Sequence, residues 1–148
     1  MRLTIRTKGL EEIRQALNML PREVAGEHLR EVALTGAEVI RAEAKQNALQ
    51  HKRTGTLAGD IHKEVAQETL GTRVVVRIGP GRKGWYGRLL EYGHDIVRGT
   101  RKATRRVIGH VPPYPWLRPA LDAKRREAQD VMAQEFRRRL EKVWRRWR

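Results

Sequence analysis

The sequence contains no cysteine. Disulfide bonds and thiolate metal sites are therefore excluded, and the chain suits a reducing compartment. No apolar run approaches the roughly 20 residues that a membrane-spanning helix needs. The opening residues Met1–Ile5 also lack the apolar core of a signal peptide. These absences predict a protein that folds on its hydrophobic core and has no membrane partner.

A length of 148 residues with 39% hydrophobic residues suits a single domain, 1–148, with one modest core. We divide it into an α+β core over 1–93, a basic loop or arm over 94–111, and a proline-rich segment with a C-terminal helix over 112–148. Residues 94–111 show no clear periodicity, which is typical of a long flexible loop or a β-arm.

The spacing of apolar residues predicts the secondary structure. The predicted elements are a strand over 3–7, a helix over 10–20, a long amphipathic helix over 21–48, strands over 61–66 and 72–78, a short helix over 85–92 and a long helix from Trp116 to the end. This order predicts an α+β fold, in which a small antiparallel sheet packs against the long helix of the N-terminal half and a long C-terminal helix follows.

Charge is distributed unevenly along the chain. Lys and Arg number 32 against 17 Asp and Glu, a formal net charge of +15. Residues 1–72 hold 11 basic and 10 acidic side chains, whereas residues 73–118 hold 11 basic and 2 acidic ones. Because this excess of positive charge is local, it favours a polyanionic partner, either nucleic acid or an acidic protein surface. The alternative is an arginine-rich surface that is soluble and has no specific partner.

The densest basic cluster lies in a stretch from Ile96 to Leu121 that has no acidic residue. Its members are Arg98, Arg101, Lys102, Arg105 and Arg106. Such side chains could neutralise DNA phosphates, but no known DNA-reading motif accompanies them. We predict that they face either the DNA backbone or an acidic neighbouring subunit.

Residues typical of catalysis or cofactor binding form no complete motif. Gly79–Gly84 matches G-x-G-x-x-G, but Pro80 removes a backbone donor and no acidic residue follows about 20 positions later, so we predict a turn. Glu91, His94 and Asp95 lie close together without a nucleophile motif, and the five histidines show no metal spacing. We expect no enzyme activity, cofactor, metal ion or small-molecule substrate.

The end of the C-terminal helix combines tryptophan with arginine. Trp144 and Trp147 lie one turn apart, beside Arg145 and Arg146. Three interpretations remain open: packing on the domain's own core, contact with a neighbouring subunit, and a membrane-surface helix. An unbroken helix of this length would measure about 50 Å, more than a small domain spans, so we expect its end to project.

Four short motifs follow one another in a fixed order. They are Thr54-Gly55-Thr56-Leu57, Gly79-Pro80, Tyr86-Gly87-Arg88-Leu89-Leu90-Glu91-Tyr92-Gly93 and Pro112-Pro113-Tyr114-Pro115-Trp116-Leu117-Arg118-Pro119-Ala120-Leu121. With them, over residues 10–125, the sequence resembles the phage family typified by gene product ten of phage Hong Kong 97, whose members are called neck, minor tail or tail-completion proteins. Trp116 stands where that family usually has Phe. Residues 94–111 and the basic C-terminal tail are particular to this chain.

The resemblance implies a structural virion protein of a tailed phage. Such a protein would join tail to head as part of a ring that DNA crosses, and six copies are expected because tail tubes of this kind are six-fold. Its implied partners are copies of itself, other neck and tail proteins, and the DNA backbone without sequence preference. Its implied location is the virion, after assembly in the bacterial host cytoplasm. The alternative is a basic nucleic-acid-binding module.

The motif residues are expected to have structural roles. Gly87 and Gly93 bracket the short helix and permit close packing or a left-handed cap. Glu91 is expected to form a local ion pair in its basic surroundings. The prolines of 112–115 fix the direction in which the chain enters the last helix, and Pro119 falls in its first turn, where proline is tolerated.

Overall fold

The computed structural model describes residues 22–50, 55–69, 73–99 and 104–147. The predicted strand over 3–7 and helix over 10–20 lie outside these residues. The predicted α+β fold, with a long helix in each half, is confirmed. One correction concerns the sheet, because the described strands form two separate two-stranded antiparallel sheets instead of one.

The framework consists of two long helices, α1 (Arg22–Gln50) and α4 (Leu117–Trp147). They run antiparallel, since contacts near opposite ends of α1 reach opposite ends of α4. At one end the Asn47 side-chain amide donates to the Trp116 carbonyl oxygen at 3.1 Å. At the other, the Arg139 guanidinium lies 3.8 Å from the Glu31 carboxylate.

The two long helices approach closely at Gly36 of α1. A Cβ atom at that position would lie 2.5 Å from Cγ and 2.7 Å from Sδ of Met132. Further along α4, Phe136 is 3% exposed. Helix α4 therefore lies against α1 as far as Arg139. The two helices are of similar length, with 29 residues in α1 and 31 in α4. These contacts reach Arg139, and the projection of the helix end beyond it stays a prediction.

The first sheet pairs strands β1 (Ile61–Thr69) and β2 (Arg73–Pro80). Their register runs from Ile61 opposite Pro80 to Thr69 opposite Arg73. The strand predicted over 61–66 is three residues longer in the structure, because its last residues pair with β2 although their side chains are exposed. In β1, the alternation of apolar and polar residues ends where the side chains cease to be buried, whereas the backbone pairing with β2 continues.

The core lies between this sheet, α1 and the start of α4. Its buried residues are Ala37, Ile40, Ala44, Ala48, Leu57, Ala58, Ile61, Val76, Ile78, Trp116, Leu117, Ala120 and Ala128. Alanines form most of the contribution from α1, and small side chains allow neighbouring elements to approach closely. Two short helices border this core, α2 (Thr56–Gly59) and α3 (Gly87–Tyr92).

The second sheet pairs strands β3 (His94–Arg98) and β4 (Arg106–Val111). Of the two interpretations left open for 94–111, loop or β-arm, the structure shows the β-arm. We call β3 and β4 together the arm. Its contacts are mainly between its own two strands, and most of its side chains are exposed. An element with little burial on either face leaves no apolar periodicity in the sequence.

Candidate assembly surface

Glu91, near the end of α3, caps the start of α4. Its Oε2 accepts hydrogen bonds from the backbone N–H groups of Trp116 at 2.8 Å and Leu117 at 2.9 Å. Its Oε1 accepts one from the N–H of Arg118 at 3.0 Å. The first N–H groups of a helix have no partner inside it, and a negative charge is favourable there. A side chain that is 4% exposed therefore ties two elements together.

Arg118 completes this junction from the side of α4. Its Nε donates to Glu91 Oε1 at 3.1 Å and its Nη2 donates to the Glu91 carbonyl oxygen at 3.1 Å. The guanidinium also lies 4.9 Å from the centre of the Tyr92 ring, a cation–π distance. Burial alone would raise the pKa of Glu91, but the three backbone donors and the guanidinium outweigh it and hold that pKa below its ordinary value. The predicted ion pair is confirmed.

Gly87 is the point at which residues from all four motifs meet. The Trp116 indole N–H donates to the Gly87 carbonyl oxygen at 2.9 Å. A Cβ atom at Gly87 would lie 2.6 Å from Leu57 Cδ1, 3.2 Å from Trp116 Cζ2 and 3.3 Å from Pro80 Cβ. The expected close packing at this glycine is confirmed, and it draws the separated motifs into one buried junction.

Gly93 turns the chain from α3 into the arm. Its φ of 73° lies in the region that favours glycine, and a Cβ atom there would lie 2.7 Å from the Val111 carbonyl oxygen. The proline-rich run returns alongside, where the Tyr114 N–H donates to the Leu90 carbonyl oxygen at 2.7 Å. Pro113 and its neighbouring prolines are exposed. The base of the arm is thus fixed to the junction.

The remaining motif residues lie around this junction. Gly55 precedes α2 with a φ of 74°, whereas Thr54 lies outside the described residues. Tyr86 is half-buried, and its ring stands edge-on to Trp85 with 6.3 Å between centroids. Pro119 lies in the first turn of α4, as predicted.

The glycine-rich loop after β2 is held by Asp60, a residue that the sequence did not single out. Gly81 N–H donates to the Asp60 carbonyl oxygen at 2.7 Å, and Gly84 N–H donates to its carboxylate at 2.6 Å. The His62 ring lies 2.9 Å from the same carboxylate. Hydrogen bonds from His62 and then Gly84 lower the pKa of Asp60. The N–H groups of Gly81 and Gly84 therefore donate to Asp60 within the protein, which agrees with the predicted turn.

Large apolar side chains that are exposed concentrate on the arm and the segments flanking it. Among the described residues they are Trp85, Tyr92, Ile96, Val107, Ile108 and Tyr114, together with Leu49 on α1. Arg98, Arg105 and Arg106 are exposed beside them, whereas Arg101 and Lys102 lie outside the described part. By the strand register, Ile96, Arg98 and Arg106 lie on one face of the arm and Val107 on the other. Apolar patches rimmed by charge are typical of interaction sites.

The family model for the bacteriophage HK97-gp10 tail component matches residues 11–93. The chain belongs to this tail-component family. Neither a curated protein nor a solved structure gives a significant match to it. The family match includes Leu57, Gly87 and Glu91 but ends at Gly93. The resemblance drawn over 10–125 is therefore supported over 11–93, and the Trp116 segment and the arm lie beyond the match.

Two of the three residues Glu91, His94 and Asp95 make other contacts in this tail-component protein. Glu91 caps α4, and Asp95 Oδ1 lies 2.8 Å from Nδ1 of His110 across the arm. Within the described ranges, no group of three His, Cys, Asp or Glu residues could hold a metal ion. Across the same ranges, no helix is long and apolar enough to cross a membrane.

The end of α4 is described less fully than its start. Leu140 and Val143 are half-buried and Arg145 is exposed. The side chains of Trp144, Arg146 and Trp147 lie outside the described residues. The contact of Arg139 with Glu31 holds α4 against its own domain up to that residue, and the three interpretations of the last turns stay predictions.

Proposed function

We propose that this tail-component protein completes the tail at the neck and joins it to the head. In this proposal, copies of the chain form a ring of six through which DNA passes during packaging and ejection. Its partners are copies of itself and other neck and tail proteins, and its location is the virion after assembly in the host cytoplasm. The role is structural, with no catalysis. The family match over 11–93 carries the proposal.

The arm supports an assembly role. An isolated two-stranded hairpin is only marginally stable in water, yet the arm leaves Val107 64% and Ile108 60% exposed. A hairpin of this kind is stabilised when a partner covers it. Glu91 and Gly93 hold its base rigidly to α3 and α4, so the arm can transmit a contact to the body of the protein.

The charge distribution supports a position beside DNA. Residues 73–118 hold 11 basic and 2 acidic side chains, and both acidic ones have cationic or hydrogen-bonding partners within the protein. Lysine and arginine side chains along a channel would release counterions from passing phosphates without reading sequence. The proposed DNA contact is therefore non-specific.

The test is to disrupt the gene in the phage that encodes the chain. We expect lysates with filled heads and separate tails in electron micrographs, and a loss of infectious particles that the wild-type chain restores when supplied in trans. If particles without the protein have joined heads and tails and remain infectious, the proposal is wrong.

A basic nucleic-acid-binding module is the second candidate, and the exposed Arg98, Arg105 and Arg106 favour it. A gel-shift assay with the purified monomer and free duplex at physiological salt separates the two functions. Tight binding by the monomer supports the nucleic-acid module. A shift that disappears between about 50 and 200 mM salt indicates only weak phosphate contact, as expected of a ring subunit.

A further inference from the structure

The two faces of the arm differ in chemistry. Residues directly opposite each other in an antiparallel pair lie on the same face, and successive residues along a strand alternate between faces. The register pairs Arg98 with Arg106 and Val97 with Val107. One face therefore carries both arginines, and the other carries both valines. We call them the arginine face and the valine face, and Ile108, the additional residue at the bulge between the strands, is assigned to neither.

Ile96 belongs to the arginine face and lies across its middle. It is paired with Gly109, and its Cδ1 atom is 3.5 Å from the position that a Cβ atom would take at that glycine. Ile96 is 44% exposed, against 64% for Val107 on the opposite face. Because the isoleucine leans over the glycine, the two longer arginine side chains determine what the arginine face can bind.

The pairing of Arg98 with Arg106 is unfavourable in the isolated chain. Like charges directly opposite each other on two strands are destabilising, and the Cα atoms of such a pair lie only about 4.5–5.5 Å apart. The one carboxylate of the arm, Asp95, contacts His110 on the valine face, and the stretch from Ile96 to Leu121 has no acidic residue. The neighbouring sequence supplies no anion to this pair, so an external anion would relieve the repulsion.

A phosphodiester backbone fits the arginine face better than an acidic protein surface does. Guanidinium groups bind phosphate through parallel N–H donors, and a run of cations without carboxylates suits an anion whose charge repeats along its length. Arg101, Lys102 and Arg105 add three basic residues between the paired arginines. A protein interface instead has apolar residues at its centre, and on the arm the more exposed of the two valines, Val107, is on the other face.

We propose that the arginine face contacts the phosphate backbone of DNA and that the valine face is turned away from the DNA. The inference rests on the proposed ring, because it sets how each arm is oriented in that ring: the arginine face lines the channel. The contact is with phosphates and is therefore independent of base sequence.

The salt dependence of DNA binding counts the phosphate contacts. Each neutralised phosphate contributes about 0.9 to the slope of the logarithm of affinity against the logarithm of salt concentration. We would titrate the purified full-length chain into a fluorescent DNA duplex between about 50 and 200 mM salt. Arg98→Gln with Arg106→Gln should reduce the magnitude of this slope by about 1.8, since two contacts are lost.

A variant with the same change in net charge on another surface is the control. Arg125→Gln with Arg126→Gln removes two exposed arginines from α4, and we expect the slope to stay that of the wild type. An equal loss in the two variants would mean that net charge alone attracts the DNA, and it would overturn the proposal. The same conclusion follows if the arm variant keeps the wild-type slope, or if the wild type does not bind at about 50 mM salt.

Photo-cross-linking in purified virions tests the orientation of the arm. A benzophenone amino acid in place of Ile96 probes the arginine face and leaves both arginines intact, whereas the same probe in place of Val107 reports on the valine face. After irradiation we expect the chain to be attached to phage DNA from position 96 and not from position 107. Attachment from position 96 to protein alone, or to DNA with equal yield from both positions, would overturn the proposal.

The failure of this inference differs from the failure of the proposed function. If the chain is present in virions but the cross-links or the salt slopes give the opposite result, the DNA contact is wrong and the tail function stands. If the chain is absent from virions, the tail function is wrong, and the salt slopes of the purified chain then decide the DNA contact. Those slopes also decide it if a probe variant does not assemble.

Discussion

The Glu91 carboxylate accepts the backbone N–H of Trp116 at 2.8 Å, across 25 positions of the chain. Together with the bonds that Glu91 accepts from Leu117 and Arg118, this hydrogen bond joins the end of α3 to the start of α4 at the base of the arm. The four sequence motifs thus have a structural explanation, because they build a buried junction from which the arm extends.

Replacing Glu91 with Gln should destabilise the protein. The variant keeps the shape but loses the charge that faces three N–H groups and Arg118, so we expect the free energy of unfolding to fall by about 2–3 kcal/mol. Urea denaturation measures it. Glu64→Gln is the matched control: Glu64 pairs with Arg77 on the exposed sheet, and we expect a change within about 0.5 kcal/mol. Equal effects of the two substitutions would contradict the capping role.

The contribution of Glu91 should depend on pH. Its pKa is lowered in the folded state by the N–H donors and Arg118, which outweigh burial, relative to about 4.3 when unfolded. Such a group stabilises the fold above its unfolded pKa, and this stability is lost as pH falls through the folded pKa. The difference in unfolding free energy between wild type and Glu91→Gln should therefore be full at pH 7 and shrink below about pH 4.

Other carboxyls do not obscure this comparison. Hydrogen bonds from neighbouring arginines hold the pKa values of Glu38 and Glu135 at about 2, but both groups are the same in wild type and variant, so their effects cancel in the difference. Urea titrations between pH 7 and pH 3 are the measurement. A difference that stays constant over this range would show that the Glu91 charge is not what stabilises the junction.

Replacing the motif glycines Gly87 and Gly79 with alanine should change the free energy of unfolding by different amounts. Gly87→Ala places a Cβ atom against Leu57, Trp116 and Pro80, and overpacking of this kind costs about 1–3 kcal/mol. Gly79→Ala meets no atom within 4 Å, so we expect a change within about 0.5 kcal/mol. Thermal and urea unfolding of both variants would show the contrast. Equal tolerance at the two positions would mean that the junction is loosely packed.

The sequence predicted the elements in which burial of one face produces a regular spacing of apolar residues. Helix α1 was predicted nearly to its bounds because one of its faces is buried along its length, and β2 because its apolar residues are buried. The arm shows no such periodic pattern, since most of its side chains are exposed. Only its charge and its glycines separated it from the core, so loop and β-arm stayed open until the strands were seen to pair.

The sequence predicted individual residues of the junction, but not which of them contact one another. The ion pair of Glu91 followed from its basic surroundings, whereas its capping of α4 joins residues that no local pattern relates. Asp60 was missed for the same reason, because its partner Gly84 lies 24 positions away. Leu57 and Gly87 likewise meet only through the tertiary fold.

Truncation after Arg139 should leave a folded protein. Phe136 is the last buried side chain of α4 in the described residues, and of the side chains described beyond Arg139 only Leu140 and Val143 are half-buried. We expect a loss of about 1–2 kcal/mol, against about 3–5 kcal/mol for Phe136→Ala, both measured by urea denaturation. Ring formation or tail joining should weaken in the truncated chain. If it assembles as well as the full chain, the last turns only pack on their own domain.

The most direct test of the account is the location and copy number of the chain in purified virions. Quantitative mass spectrometry together with cryo-electron microscopy of the head–tail junction would measure both. The account predicts that the protein is present as a ring of six at the head-proximal end of the tail. Absence of the chain from purified, infectious virions would contradict it.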